Sequence, residues 1–306
     1  MVAPSAGALK RATLVLLLSA LIWGSMIPVL ADLAAHYDKW MLSWLRYVLG
    51  LPVLWLAVLL SPQPTSVRPL RAGRLLALGT AMTAFSVLYT FGVAHAHPAT
   101  SAIVLMCGPV WATLLARVML GARMPAGFAV TLAAVVAGGI VVVLGAPSRG
   151  TGGFGLEGGE PLLVVAQLCW SWYSIKAQQW LADRGQIALS ALTSTVAGVL
   201  LGGVCLVVWA TVGIEWPAAS PPVTDWIMMA WIGVMGVAVA LLLWNVGVSL
   251  VGVPVASLFG NSAPVFAIGL AALMGREPTL LQLTGGGIVL AAIARHQLLQ
   301  IRRARR

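Results

Sequence analysis

The sequence predicts an all-α integral membrane protein of ten transmembrane helices in two inverted five-helix repeats. Three observations carry this. Apolar residues make up 60% of the chain and charged residues only 8%, whereas a soluble protein has about 25% charged residues. No water-facing surface can be built from such a composition. The apolar residues gather into ten stretches, each near the roughly 20 residues that cross the hydrocarbon of a bilayer. One Gly-rich segment at mid-chain splits them five and five, and a repeat with an odd number of spans inserts its second copy upside down.

The spans run in order. The first, 12–31, follows Lys10 and Arg11. Its apolar run from Thr13 to Leu30 is longer than the h-region of a secretory signal and no A-x-A follows it, so it reads as a retained span. The second, 40–60, contains Arg46, and the third, 74–94, leads to a turn with His95 and His97. The fourth, 98–120, carries Pro109 near its middle, and the fifth is 127–146. The Gly-rich linker, 147–160, separates a first repeat (1–146) from a second (161–306). Spans at 161–182, 187–212, 226–249, 254–275 and 280–299 follow, with Pro264 placed in the ninth as Pro109 is in the fourth. These runs are apolar all round, whereas barrel strands would alternate over about ten residues. Offsetting the chain by 155 residues superposes 88–119 on 243–274 with nine identities, the two prolines among them. This offset marks an internal repeat.

Charge sets the orientation. With the N-terminus in the cytoplasm, fourteen of the eighteen Lys and Arg fall inside, three outside, and Arg46 lies within a span. Such a bias puts both termini in the cytoplasm. It also suits a multi-pass protein of a bacterial inner membrane whose inner face touches anionic lipid. The net charge of +10 therefore reads as a topology signal and not as a nucleic-acid surface. Cys107, Cys169 and Cys205 all lie within spans, and three scattered cysteines give neither a disulfide framework nor a metal spacing.

Several short motifs carry a resemblance. Trp23-Gly24-Ser25 lies in the first span and Leu45-Arg46-Tyr47 in the second. Gly108-Pro109-Val110 and Ala263-Pro264-Val265-Phe266 occupy the fourth and ninth, and Met274-Gly275-Arg276-Glu277 follows the latter. Together they resemble the EamA-type family of the drug/metabolite transporter superfamily over nearly the whole chain. The first copy departs at Gly121-Ala122-Arg123, which has no Glu. Trp244-Asn245-Val246-Gly247 and the opening Arg11-Ala12-Thr13-Leu14 look most like the YddG-type exporters. The resemblance implies ten spans, inverted repeats and export of amino acids, aromatic ones included.

The candidate site residues each read in two ways. Proline removes a backbone donor and clashes with the carbonyl four residues back. Pro109 and Pro264 therefore loosen the Leu105 and Gly260 carbonyls, either as hinges lining a central site or as packing kinks. Ser257 and Asn261 share one helix face, as Asn245 and Ser249 do. Met106 matches Asn261 across the offset, and Tyr89 matches Trp244. Polar groups in a span bind a polar substrate headgroup or bond between helices. Among thirteen tryptophans, those at span ends, such as Trp40, Trp216 and Trp226, read as interfacial belt. Trp23, Trp170 and Trp244 lie deeper, and Trp170 shares a face with Tyr173. They form an aromatic wall for an amphipathic ligand or pack closely. Arg46 is either a partner for a substrate carboxylate or snorkels outward to Asp32 or Asp38.

The remaining residues exclude chemistry. No Asp or Glu sits at mid-span, where a proton carrier would be expected. No nucleophile–base set, carboxylate pair, phosphate loop or metal cluster can be assembled, so the expectation is no enzyme, no cofactor and no metal. The reading is an alternating-access exporter of small amphipathic metabolites running as a facilitator. Its partners are a small-molecule substrate and membrane lipid, with no nucleic acid. A sugar-phosphate or nucleotide-sugar transporter of the same fold, and a non-transporting scaffold or receptor, remain as alternatives.

Overall fold

The computed structural model describes residues 5–61, 71–96, 98–121, 124, 127–145, 158–213, 221–273, 275 and 277–304, and every regular element among them is helical. Of the residues singled out above, His97, Ala122, Arg123, Trp216, Met274, Arg276 and the linker up to residue 157 lie outside the described residues, as do several charges counted for orientation.

The first half contains α1 (Ala6–Leu33), α2 (Lys39–Leu60), α3 (Ala72–Ala94), α4 (Pro98–Met106), α5 (Gly108–Leu120) and α6 (Phe128–Leu144). Helix α1 starts where the Ser5 hydroxyl accepts from the Ala8 N–H at 3.2 Å. Helix α2 starts where the Asp38 carboxylate accepts from the Trp40 and Met41 N–H groups at 2.8 and 3.0 Å. Both acceptors satisfy donors that a first helical turn leaves open. The second half contains α7 (Glu160–Leu181), α8 (Gly185–Thr211), α9 (Val223–Ala230), a π-helical stretch (Trp231–Ala240), α10 (Leu241–Val251), α11 (Val253–Gly260), α12 (Ala263–Leu273) and α13 (Leu280–Ala304).

Among the described residues, six helical segments are long and apolar enough to cross a bilayer: Ala6–Leu30, Lys39–Leu60, Ala72–Gly92, Gly185–Thr211, Val223–Val251 and Val253–Leu270. Gly108–Leu120 and Phe128–Leu144 are shorter apolar helices. Helices α7 and α13 have the length but carry more polar side chains.

Two segments read as continuous spans are broken. The run 98–120 breaks at Cys107, two residues ahead of Pro109, and 254–275 breaks at Asn261 and Ser262, just ahead of Pro264. The ring of each proline denies the preceding turn its regular bonding. A third departure is the π-helical stretch inside 226–249, which a hydropathy pattern does not distinguish from α-helix. Its wider turns free carbonyls to accept from α1. The Ser19 hydroxyl donates to the Ala240 carbonyl at 2.9 Å, and Trp23 Nε1 approaches the Gly236 carbonyl at 3.4 Å. Gly252 alone connects α10 to α11, at φ 78°, a conformation that side chains rarely tolerate.

The packing pairs the two halves. Helix α6 lies along α13 with opposite direction, Thr131 beside His296 and Gly145 beside Leu281. Between them Gly138 and Gly285 meet: a Cβ on Gly138 would come 2.9 Å from the Gly285 carbonyl oxygen. Helix α2 likewise runs antiparallel to α8, from Trp40 beside Cys205, through Trp44 at Gly202 and Tyr47 at Gly198, to Trp55 bonded to Thr195. Elsewhere α3 packs on α7 while α1 packs on the π-helical stretch and α10, and α5 packs on α7 while α1 packs on α12. Each of these contacts therefore has a counterpart with the halves exchanged. Trp23 and Trp170 each touch two of the buried apolar clusters, which places them where the halves meet.

Candidate functional site

Three tryptophans from three helices form the centre. Trp23 of α1, Trp170 of α7 and Trp244 of α10 contact one another with ring centroids 5.9, 5.6 and 5.8 Å apart. These separations suit edge and tilted aromatic contacts. Trp170 also meets Phe85 of α3 at 5.2 Å and Tyr173 at 5.5 Å, and Phe85 leads on to Tyr89 at 5.8 Å. Tyr89 keeps 37% of its surface exposed, whereas Trp244 is buried.

Behind this wall lies a buried polar network, and counting its protons orients it. The Thr193 and Ser190 hydroxyls donate to the Leu189 and Gln186 carbonyls, both at 2.8 Å. The Tyr173 hydroxyl must therefore donate to Thr193 Oγ1, 3.1 Å away. Asn245 Nδ2 then donates to the Tyr173 oxygen at 3.3 Å and to Ser190 Oγ at 2.9 Å. Both amide protons are used, and Asn245 Oδ1 is buried with no donor. Trp244 Nε1 donates to Ser174 Oγ at 3.1 Å, which fixes the indole against α7. A buried acceptor left empty costs about 1–3 kcal/mol, so this oxygen is poised to accept.

A second group sits at the broken helices. Asn261 Nδ2 donates to the Met106 carbonyl at 2.7 Å, so the two positions related by the 155-residue offset bond directly to each other. Gln167 Nε2 donates to the Leu105 carbonyl at 3.3 Å, the acceptor that Pro109 loosens. Ser257 does not join Asn261, because its hydroxyl bonds back to the Pro254 carbonyl at 2.8 Å.

Arg46 of α2 lies against the π-helical stretch, its backbone beside Gly233. The Tyr47 and Tyr89 phenols are within electrostatic range of its guanidinium, and its buried Nε has no partner. No carboxylate pairs with it among the described residues: the Asp38 carboxylate caps α2, and Asp32 is exposed.

The structure thus gathers Trp23, Trp170, Tyr173, Trp244 and Asn245, reaches Tyr89 through Phe85, and sets Met106 and Asn261 apart at the break. Phe85, Gln167, Ser190 and Thr193 were not singled out in the sequence. Gln167 carried a signal, as an amide in the middle of an apolar span. The hydroxyls at 190, 193 and 194 share a helix face, and the same spacing rule that paired Ser257 with Asn261 would have found them.

At one end of the bundle a cavity of about 390 Å³ is lined by Tyr37, Asp38, Lys39, Trp40, Phe91 and His95 among others. The Tyr37 hydroxyl donates to Asp225 at 2.6 Å, tying the α1–α2 turn to the start of α9. That bond, with the carboxylate charge behind it, raises the Tyr37 phenol above its ordinary pKa.

The sequence profile of the EamA-like transporter family matches residues 10–144 and again residues 158–295. The chain belongs to the EamA-like transporter family. It is accordingly a multi-pass membrane transporter built of two EamA repeats, and not an enzyme. It is 21% identical over 209 residues to the uncharacterized transporter YyaM of Bacillus subtilis (strain 168), covering 68% of this chain and 67% of that one. It is 25% identical over 298 residues, 93% of both chains, to a probable terminal-alkyne amino-acid exporter of Streptantibioticus cattleyicolor. A solved crystal structure shares the EamA chain's fold at 20% identity, with a TM-score of 0.80 over 96% of this chain and 98% of the other.

Proposed function

We propose that this EamA protein exports small amphipathic metabolites, amino acids including aromatic ones, across a bacterial inner membrane as a facilitator. The observation that carries the substrate class is Arg46. It is a guanidinium without a carboxylate partner among the described residues, near Tyr89 at the exposed end of the aromatic wall. A carboxylate is what such a group binds best. The wall of Trp23, Phe85, Tyr89 and Trp170 takes an apolar or aromatic side chain, and Asn245 Oδ1 accepts from the ammonium when the halves move. The amino-acid exporter among the relatives supports the same class.

The architecture we propose is ten spans in two inverted repeats, 1–146 and 161–306, joined by the linker 147–160, with both termini cytoplasmic. The opposed directions of α6 and α13, and of α2 and α8, support inversion, because helices related by a two-fold axis in the membrane plane must run antiparallel. Alternating access then follows from one half rocking on the other. The breaks ahead of Pro109 and Pro264 act as its hinges, and the Asn261–Met106 bond joins them. The test is uptake of radiolabelled amino acids into proteoliposomes, compared with their decarboxylated amines. Selective transport of the amino acids is expected, and equal transport of the amines would remove Arg46 from substrate recognition.

A further inference from the structure

Away from the aromatic centre, two cations converge on one indole. Arg74 stands in the first turn of α3, with its guanidinium carbon 5.5 Å from the centroid of the Trp180 ring. Lys176, near the end of α7, places its ammonium 5.6 Å from the same centroid. Trp172 meets Trp180 edge-on at 5.6 Å, so Trp172, Lys176 and Trp180 form one stripe at four-residue spacing. The ammonium of Lys176 donates to Gln179 Oε1 at 3.0 Å, and neither cation forms an ion pair with a carboxylate among the described residues. An indole attracts one cation by about 0.5–1 kcal/mol at an exposed site. Two cations drawn to it repel each other, and an anion lodged beside both removes that repulsion.

The position says which anion. Both cations lie at helix ends, where tryptophan marks the boundary between hydrocarbon and headgroups, and where basic clusters between spans hold lipid headgroups. We infer that Arg74, Lys176 and Trp180 form a binding site for the phosphate of an anionic phospholipid. The guanidinium supplies a planar pair of donors to the phosphate oxygens and the ammonium a point charge, while the two indoles cover the glycerol. The site stands apart from the substrate reading and does not depend on it.

The experiment titrates phosphatidylglycerol and phosphatidylcholine into the purified full chain in detergent, with binding read by native mass spectrometry. Two cations near a headgroup are expected to favour the anionic lipid by about thirtyfold. In Arg74→Gln/Lys176→Gln the preference should fall to within about twofold of parity. In Lys10→Gln/Arg11→Gln, which removes two exposed cations elsewhere, it should persist. Inorganic phosphate at the same concentration should not displace the lipid. An unchanged preference in Arg74→Gln/Lys176→Gln overturns the site, and so does loss of the preference in the Lys10/Arg11 variant. Full displacement by free phosphate overturns the assignment to lipid.

Discussion

Arg46 and Tyr37 show how differently one side chain can be read before and after folding. As a charge within a span, Arg46 stood out in the sequence, but the pattern gave no way to choose between a substrate carboxylate and Asp32 or Asp38. The choice turns on Asp38, which spends its carboxylate on the α2 N-terminus. Loss of one charged hydrogen-bonding group costs about 1.5–3 kcal/mol, so Arg46→Gln should raise the apparent KM for amino acids about 10- to 100-fold. Arg46→Lys should fall between, since an ammonium cannot bind a carboxylate as a planar fork. Transport of the corresponding amines, measured in the same vesicles, should not change, and an equal loss for amine and amino acid would sink the assignment. Tyr37 makes a prediction in pH. Its phenol is raised by its bond to Asp225, so the bond adds stability below the ordinary tyrosine pKa of about 10 and loses it as pH rises through the higher folded value. An ultraviolet difference titration of wild type against Tyr37→Phe isolates this phenol. Its midpoint should lie above 10, and a midpoint at or below 10 would mean that the bond is not made in solution.

Elements were legible where hydropathy alone decides them and illegible where hydrogen bonding does. The ends of α2, α3, α7 and α8 fall within a few residues of the stretches read from composition. The breaks at Cys107 and Asn261 follow from prolines plainly visible in the sequence, although their effect reaches a turn further than the proline itself. The π-helical stretch left no trace, because its apolar residues suit either winding. The aromatic centre was partly visible, since tryptophans deep in spans are conspicuous. Phe85 was not, because nothing in a single sequence distinguishes a phenylalanine facing a site from one facing lipid. The same contrast governs glycine. A Cβ on Gly138 would meet the Gly285 carbonyl at 2.9 Å and the Ile288 and Val289 side chains at 3.0 Å, whereas one on Gly203 would meet nothing within 4 Å. Alanine favours a helix over glycine by about 1 kcal/mol, but overpacking costs about 1–3 kcal/mol when backbone must move. Gly138→Ala should therefore lower the unfolding midpoint in detergent, and Gly203→Ala should leave it level or raise it. The reverse order would mean that α6 and α13 are not in direct contact.

The whole molecule sets the energetics of transport. An exchange of halves carries the α3–α7 contact onto that of α1 with the π-helical stretch and α10, and the α5–α7 contact onto that of α1 with α12, so inward-open and outward-open states can be built from the same interfaces used in alternation. Such a pair of states is close in free energy, and little driving force is needed to interconvert them. Driving a substrate uphill requires a coupled ion, and a proton must be carried by a titratable group, since a bare charge in hydrocarbon is prohibitive. No carboxylate stands at mid-span in the sequence. Glu160, the first residue of α7, is buried, and its carboxylate accepts from the Gly158 N–H at 3.0 Å, so it serves the end of a helix. A metal-like cage is also missing, for no group of three His, Cys, Asp or Glu gathers among the described residues. Of the two carbonyls that the prolines loosen, that of Leu105 already accepts from Gln167. These facts together argue for downhill export. In proteoliposomes, internal amino acid should rise only to the external concentration, and an imposed pH or sodium gradient should change neither that plateau nor the initial rate. Accumulation above the external concentration, driven by either gradient, would show that an ion site exists and would direct attention to Asn245 Oδ1, a buried oxygen beside the aromatic centre that accepts no hydrogen bond.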